Sequence, residues 1–436
     1  MPRVALYGSG GSPYHHAAAF AAGGAEFDFV FAGDIEAGAL AAYDAFVMPG
    51  GGYFAMQGQL EPLGSTGCRE IRRYVERGGM YMGSCAGSYS AARVPASFLR
   101  TCPMQADLRL LDCEIWNGSD SPLAPGLQSP GIGTLRAVNA SPAHPVMAGM
   151  PASFTITHYN GPLFTGGEVL AEVAGTDDFT AAEEFLGDTA EDTVVARAAA
   201  AGVANIVAGR CGEGRVVLFG SHPEFGSSTA MDDQSPAALM LLNALNWQFE
   251  ETGMPHRSPA PIAARGHVGA RAEDADLRRL DSVVARITRR CADLTAAWPG
   301  PAAPSPAWLD GKAALSMFGR PAGEIWAASL QRIPELAQEA LTAAPNVGAD
   351  LLSFRAPADW QLDCGFHGVA PLLEQVDELL ARAIATCDFS PTPGPVPYAD
   401  IFDSPYHLIA GSYLAAIGRA AGAALLCRAA LATKGR

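Results

Sequence analysis

Five small residues, Gly83-Ser84-Cys85-Ala86-Gly87, join two segments of different character. The preceding segment, Met80–Gly83, is mostly apolar, as in a buried strand, and the following one, Ala86–Ala92, has the small residues of a closely packed helix. Glycines on both sides of a single cysteine are typical of a sharp turn from strand to helix. The pattern therefore predicts an α/β sheet with Cys85 at the carboxyl end of a strand.

The same alternation of strand-like and helix-like segments runs through the first 250 residues. Short apolar, β-branched or aromatic runs predict further strands over residues 4–8, 27–32, 45–48, 108–115, 169–173, 193–196, 205–208 and 215–219. Helices are predicted over residues 12–22, 67–77 and 236–249. Open sheets of this kind bind ligands at the carboxyl ends of their strands, so we expect the functional site at that edge.

Cys85 is the candidate nucleophile of this edge. A strand-to-helix turn presents the thiol above the sheet, and the N–H groups of the following helix favour the thiolate, which is the reactive form. The alternative is a buried cysteine that only fills a tight turn. The flanking glycines favour the nucleophile.

A nucleophilic cysteine needs a base, and His222 is the best candidate. It follows the predicted strand over residues 215–219, which would bring it to the same edge as Cys85. Glu224, two residues later, is positioned to accept a hydrogen bond from the imidazole and fix its tautomer. His15 and His16 follow the first strand, and either the pocket or the start of a surface helix would suit them.

A glycine run, Pro49-Gly50-Gly51-Gly52, follows another predicted strand. Glycines allow the backbone to approach a substrate carbonyl closely, and their N–H groups, with that of Ala86, would form an oxyanion hole. The alternative is an ordinary glycine turn.

Four segments of the chain, taken together, resemble a known superfamily. Phe46–Gly52, Ile71–Tyr89, His158–Phe164 and Gly212–Glu224 are similar to class I glutamine amidotransferase-like proteins, and most to the amidotransferase-like domain at the N-terminus of some biotin–protein ligases. The resemblance implies a flavodoxin-like sheet flanked by helices over residues 1–252, which form a class I glutamine amidotransferase-like domain.

The resemblance also implies roles for particular residues. Cys85 would be the nucleophile, His222 the base and Glu224 the orienting acid. The oxyanion hole would comprise Gly51, Gly52 and Ala86, and the matching segment at residues 158–164 makes Tyr159 and Asn160 tentative substrate-binding residues. In this superfamily the thiolate attacks an amide carbonyl and forms a thioester.

Two sequence signatures are missing. The chain has no Gly-Arg-Gly-Arg sequence of the biotin-ligase type, which argues against biotin transfer. It has no GxxxxGK[ST] loop, so an ATP-driven synthetase within the same chain lacks support. No residues that would bind the α-amino and α-carboxyl groups of glutamine are recognisable. We expect no cofactor.

The second part of the chain has a different pattern. Residues 253–270 are rich in proline and glycine without periodicity, which predicts a linker. Residues 271–436 predict a mainly helical C-terminal domain, with helices over 272–294, 330–343, 371–386 and 410–433. Their apolar stripes must be buried within the region, on the first domain or across a homodimer.

Composition excludes several classes of partner. The net charge of −16 disfavours nucleic acid, and no apolar run is long enough to span a membrane. No signal peptide is recognisable, and nine cysteines without a CxxC pair suggest free thiols and no metal site. We expect a soluble, cytoplasmic protein.

These observations predict a Cys-His-Glu enzyme that acts on an amide or related acyl bond of a small-molecule or peptide-like substrate through an acyl-thioester. Hydrolysis and transfer to another acceptor both stay open. One alternative is a glutaminase subunit that delivers ammonia to a separate synthetase. Another is a catalytically silent binding scaffold that keeps the fold.

Overall fold

The computed structural model describes eleven stretches of the 436-residue chain. They are residues 3–51, 56–117, 132–159, 161–180, 194–225, 236–252, 272–297, 316–317, 320–354, 367–386 and 416–428. The predicted linker over residues 253–270 lies outside them, so the predicted domain boundaries stay predictions.

One mixed sheet of eleven strands forms the first part of the protein. Its strands are β1 (Arg3–Tyr7), β2 (Glu26–Val30), β3 (Ala45–Met48), β4 (Met80–Ser84), β5 (Cys113–Ile115), β6 (Ile132–Asn139), β7 (Ser153–Tyr159), β8 (Phe164–Gly166), β9 (Glu168–Thr180), β10 (Ala204–Cys211) and β11 (Gly214–Phe219). The main path is β2-β1-β3-β4-β11-β10-β9-β6-β7, and β8 pairs with β10 and β5. The five strands from β2 to β11 are parallel, and the remaining pairs are antiparallel.

Helices cover both faces of the parallel part of the sheet. They are α1 (Tyr14–Ala22), α2 (Ala32–Glu36), α3 (Gln57–Leu60), α4 (Gly64–Glu76), α5 (Ala86–Ala91), α6 (Ala96–Thr101), α7 (Gln105–Leu108), α8 (Val194–Ala201) and α9 (Leu239–Thr252). In β1, Val4 and Leu6 belong to one hydrophobic core and Ala5 and Tyr7 to the other. Burial on both faces explains why this strand is apolar from Val4 to Tyr7.

Two of the predicted strands are wrong in part or in full. Residues 194–196 of the strand predicted over 193–196 are helical instead, because α8 begins at Val194 and packs Ala198 into the core. The alanine run that follows outweighs the local β-branched pair. Of residues 108–115 only Cys113–Ile115 form a strand, and the chain before it is helical to Leu108.

The C-terminal region is mainly helical, as predicted. Its helices are α10 (Asp274–Ala297), α11 (Ala322–Ala343), α12 (Ala349–Ser353), α13 (Val369–Thr386) and α14 (416–428), and a two-stranded ribbon of β12 (Ser316–Met317) and β13 (Arg320–Pro321) precedes α11. The predicted apolar stripes are buried in one core shared by α10, α11, α13 and α14. None of the helices in the described stretches is long and apolar enough to cross a membrane.

The helical region contacts the sheet domain at the carboxyl edge of β1 and β2. Tyr14, the first residue of α1, is part of the helical core, and its hydroxyl accepts a hydrogen bond from the backbone N–H of His367 at 2.8 Å. A side chain at Gly422 would lie 2.9 Å from the Tyr14 ring, so α14 packs directly on it. Phe31, after β2, contacts Phe354 with ring centroids 5.3 Å apart.

We predict that Tyr14 contributes strongly to stability because it lies in this contact. Tyr14→Ala should lower the free energy of unfolding by about 3–5 kcal/mol, because it leaves a cavity between the two parts. Tyr14→Phe should cost only about 1 kcal/mol, since the ring stays and only the contacts of the hydroxyl with the His367 backbone are lost. Denaturant titration followed by circular dichroism measures both changes. Equally small effects of the two variants would contradict the packing role.

Candidate active site

Cys85 and the loop that carries His222 leave the sheet side by side. Strand β4 pairs in parallel with β11, and the register aligns Ser84 with Phe219. The backbone N–H of Cys85 donates to the carbonyl of Phe219 at 2.9 Å. Because this register ends both strands at the same level, the two loops emerge together at the carboxyl edge.

The backbone at Cys85 has the geometry of a strained turn. Its φ of 50° and ψ of −111° make it the one non-glycine residue with positive φ in the described stretches. Such conformations are unfavourable for residues with a Cβ and persist where the surroundings impose them, often at functional sites. The following helix α5 has only six residues, so its dipole is short and the neighbouring side chains carry more of the electrostatics.

His222 and Glu224 form a buried hydrogen-bonded pair. Nδ1 of His222 lies 2.7 Å from Oε1 of Glu224, and each residue is only 3% exposed. Burial lowers the pKa of His222, but the Glu224 carboxylate and the Cys85 thiol outweigh burial and raise it to about 10. Burial raises the pKa of Glu224, yet the His16 and His222 rings lower it to about 2. At neutral pH the pair therefore favours an imidazolium beside an ionised carboxylate.

Phe225 holds the plane of the His222 ring. The two rings are stacked, with centroids 4.3 Å apart and an interplanar angle of 2°. His15 contacts Phe225 edge-on at 4.4 Å. This aromatic packing restricts rotation of the imidazole, and it places His15 beside the site.

The glycine run after β3 lies directly over Cys85 and His222. A Cβ on Gly50 would be 2.6 Å from Cε1 of His222 and 2.8 Å from Cβ of Cys85, so only glycine fits. Gly51 has a φ of 85°. The carbonyl of Gly50 accepts a hydrogen bond from the N–H of Ser12 at 2.8 Å. The N–H of Gly51 belongs to the same planar trans peptide, so it points in the opposite direction, away from Ser12.

Gln59 fixes the other peptides of this run. Its buried Nε2 donates to the carbonyls of Pro49 and Gly51. Ala86 follows Cys85 at the start of α5 and is buried. Gly52 lies outside the described residues, so its predicted part in the oxyanion hole is untested.

A second buried network supports the loop after β7. The Nδ1 of His158 lies 2.8 Å from Oγ of Ser221, and Asn205 donates to the same oxygen at 2.9 Å. Burial, followed by the charge of His222, lowers the pKa of His158 to about 3. A Cβ added to Gly161 would lie 3.5 Å from Cα of Cys85, so the loop after β7 borders the site.

The tentative substrate-binding roles of Tyr159 and Asn160 are not tested. Tyr159 ends β7, and its side chain is outside the described part, as is Asn160.

The sequence left the place of His16 open between the pocket and a surface helix, and it did not predict the contacts of Gly50 and His158. His16 lies 3.0 Å from Ser84 and 3.6 Å from Glu224, and it is fully buried. The signal for it was a histidine pair at the start of the short, otherwise mostly apolar segment YHHAAAFAA. The contacts of Gly50 and His158 depend on tertiary packing and left no local signal. Within the described stretches no group of three or more His, Cys, Asp or Glu side chains is arranged to hold a metal ion.

The geometry defines a class of site: a strained cysteine, a histidine and a glutamate at the carboxyl edge of a mixed α/β sheet. The family model described as "Biotin-protein ligase, N terminal" matches residues 40–98. That segment contains the glycine run and Cys85, whereas His222 and Glu224 lie outside it. No curated protein matches this chain.

Several solved structures are similar to part of this chain. PurLQS from Thermotoga maritima is 17% identical and has a TM-score of 0.36, covering 56% of this chain and 98% of its own. A glutamine amidotransferase from Thermotoga maritima is 14% identical, with a TM-score of 0.30 and coverages of 59% and 87%. A cytoplasmic protein from Salmonella typhimurium LT2 is 16% identical, with a TM-score of 0.36 and coverages of 56% and 98%.

The predicted resemblance and fold class are confirmed. The family model matches residues 40–98, the first part has a mixed α/β sheet flanked by helices, and the second part is helical.

We predict that Cys85 is alkylated before the other cysteines of the described stretches. Burial raises the pKa of the thiols of Cys68, Cys102, Cys113, Cys211, Cys291 and Cys427, which keeps them in the unreactive form. Cys85 instead faces the His222 imidazolium. Limiting iodoacetamide at pH 7, followed by peptide mass spectrometry, measures the order of labelling. If Cys85 reacts no faster than these six thiols in the folded protein, its activation is disproved.

Proposed function

We propose that this protein is a cysteine-dependent enzyme that acts on an amide or related acyl bond through an acyl-thioester. The observation that carries the proposal is the buried pair of His222 and Glu224 next to the strained Cys85. A buried ion pair at a ligand-binding edge is costly to maintain, and perturbed titratable groups of this kind are concentrated at functional sites.

In the proposed reaction the Cys85 thiolate attacks the carbonyl carbon of the substrate. The electron pair of the carbonyl moves to its oxygen, and the backbone N–H groups of Gly51 and Ala86 stabilise the oxyanion. When the tetrahedral intermediate collapses, the carbon–nitrogen bond breaks and the imidazolium of His222 gives its proton to the leaving amine. Neutral His222 then accepts a proton from water, or from another acceptor, as that molecule attacks the carbonyl carbon of the thioester. When this second intermediate collapses, the carbon–sulfur bond breaks, the acyl product leaves and Cys85 returns to the thiolate beside the imidazolium of His222.

Glu224 does not exchange a proton in this scheme. Its carboxylate holds Nδ1 of His222 and stabilises the imidazolium. The stacked Phe225 fixes the ring plane, so Nε2 remains directed at the reacting atoms.

The helical region is proposed to shape access for a small-molecule or peptide-like substrate. It contacts α1 through Tyr14, two residues before His16, and so lies against the edge that carries the site. This contact supports a role in substrate selection, and a homodimer through the same region is also compatible with the proposal.

We predict a graded loss of activity across the three side chains. Cys85→Ala and His222→Ala should each abolish turnover, because the acyl-thioester needs both groups. Glu224→Gln should reduce the rate by about 10²–10⁴, since the acid orients the base and is not itself the nucleophile. Turnover of an active substrate, with circular dichroism as the folding control, measures these effects. A fully active Cys85→Ala variant would exclude the covalent route.

We predict that the purified chain releases little ammonia from free glutamine. No residues for the α-amino and α-carboxyl groups of glutamine are recognisable in its sequence, and it carries no synthetase signature. An ammonia assay with the wild-type chain, and with Cys85→Ala as the matched control, tests this. Rapid, Cys85-dependent glutamine hydrolysis would favour the glutaminase alternative.

Mass spectrometry of Cys85 after incubation with candidate metabolites would identify the acyl donor by the mass added.

A further inference from the structure

The carboxylate of Glu224 has one oxygen whose role the proposed triad leaves open. Oε1 is bound to His222, but Oε2 has no conventional hydrogen-bond partner among the described residues. Glu224 is almost fully buried, so water does not compensate this charge. A polar group near Oε2 would therefore have a large influence on whether the carboxylate stays ionised.

His16 is the side chain nearest to that oxygen among the described ion-pair contacts. Its Nε2 lies 3.6 Å from Oε2 of Glu224 and 3.0 Å from Oγ of Ser84, the residue before Cys85. His16 is 0% exposed and stands on α1, a different element from the loop of Glu224. It thus connects α1, the turn at Cys85 and the acid of the pair.

The surroundings of His16 determine where its proton lies. Burial lowers the pKa of His16, Glu224 opposes this shift and the charge of His222 adds to it. The ring is therefore neutral at pH 7 and carries one N–H. A lone pair on Nε2 would face the negative Oε2, whereas an N–H there is attracted to it. Nδ1 of His16 is buried without a partner in the described part, and an unpartnered acceptor is tolerated better than an unpartnered donor.

We propose that His16 is a positioning residue that presents an Nε2–H to Glu224 and Ser84, and so keeps the Glu224 carboxylate ionised and turned toward His222. The inference rests on the proposed function, because it assigns His16 to the same site. His16 acts through Glu224 and His222 and does not contact the reacting atoms.

The titratable groups that surround Glu224 are few. Among the described residues, His222 is on its own loop and His16 on α1, Cys85 acts on His222 from the turn after β4, and His158 on β7 is coupled to His222. Removing the N–H of His16 leaves His222 and the backbone at Glu224 as the neighbours that favour ionised Glu224. The carboxylate should then take up a proton at a higher pH, which weakens its hold on the imidazolium and the stabilisation of the Cys85 thiolate.

The test is the pH dependence of Cys85 alkylation by iodoacetamide in the full-length protein. His16→Leu removes the N–H but keeps the volume, and His16→Gln keeps a donor near Nε2. In His16→Leu we expect the acid side of the rate profile to move up by about one pH unit, as for a lost hydrogen bond to a charged group. His16→Gln should restore the wild-type profile, and all forms should converge at high pH.

His144→Gln is the matched control, because His144 is also buried but packs on Trp247. It should leave the profile unchanged. An unchanged profile in His16→Leu would show that His16 only fills space, and equal shifts in the Leu and Gln variants would show that packing, not the donor, matters. Either result overturns the inference.

A measurement on the wild-type protein keeps the inference testable if His16→Leu does not fold. Nitrogen-15 NMR of labelled histidine at pH 7 should show His16 neutral with its proton on Nε2, and a proton on Nδ1 would overturn the inference. Failure of the proposed function can be distinguished from failure of this inference. The proposed function predicts that His222→Ala slows alkylation of Cys85 below pH 7. If it does not, the proposed function fails, and His16 is judged by its tautomer alone.

Discussion

The parallel pairing of β4 with β11 is the constraint on which the site depends. Residues 85 and 222 are far apart in the chain, yet the register of Ser84 with Phe219 ends both strands at one level. A shift of the register by one residue would turn every side chain of the strand to the opposite face, so the buried cores on both faces resist it. The position of the thiol relative to the imidazole is therefore fixed by the core of the sheet.

The electrostatics of the site form one coupled system. His16, His222 and Glu224 are all buried, and burial alone would leave His222 and Glu224 uncharged. The negative carboxylate supports the imidazolium of His222, and the rings of His16 and His222 in turn support the carboxylate. Such a system is sensitive to single substitutions, because removing one member leaves another buried and uncompensated.

The helical region and the site meet on α1. Tyr14 packs in the core of the helical region, and His16 lies two residues later in the first turn of α1. A rigid first turn holds His16 against Ser84 and Glu224. The helical region thereby helps to position His16 through packing, although the residues at the centre of the site belong to the sheet domain.

Sequence patterns alone determined the α/β sheet, the turn at Cys85, the glycine run and the helical character of the second part. These features depend on local preferences: apolar periodicity for the elements, and glycine where a turn or a close approach excludes a Cβ. His222 and Glu224 were predicted from their place after a strand, which is also a local argument. The strand predicted over residues 193–196 failed because the alanines that follow and core packing outweigh two β-branched residues.

Only the tertiary structure decided which side chains surround the triad. The contact of His16 with Glu224 joins helix α1 to the loop after β11, more than 200 positions apart in the chain. The network of His158, Ser221 and Asn205 joins β7, the loop after β11 and β10. Gly50 requires glycine because His222 and Cys85 lie against it, not because of its own turn. Contacts of this kind follow from strand order and register, which are set by burial of the whole sheet and leave no periodic trace in the local sequence.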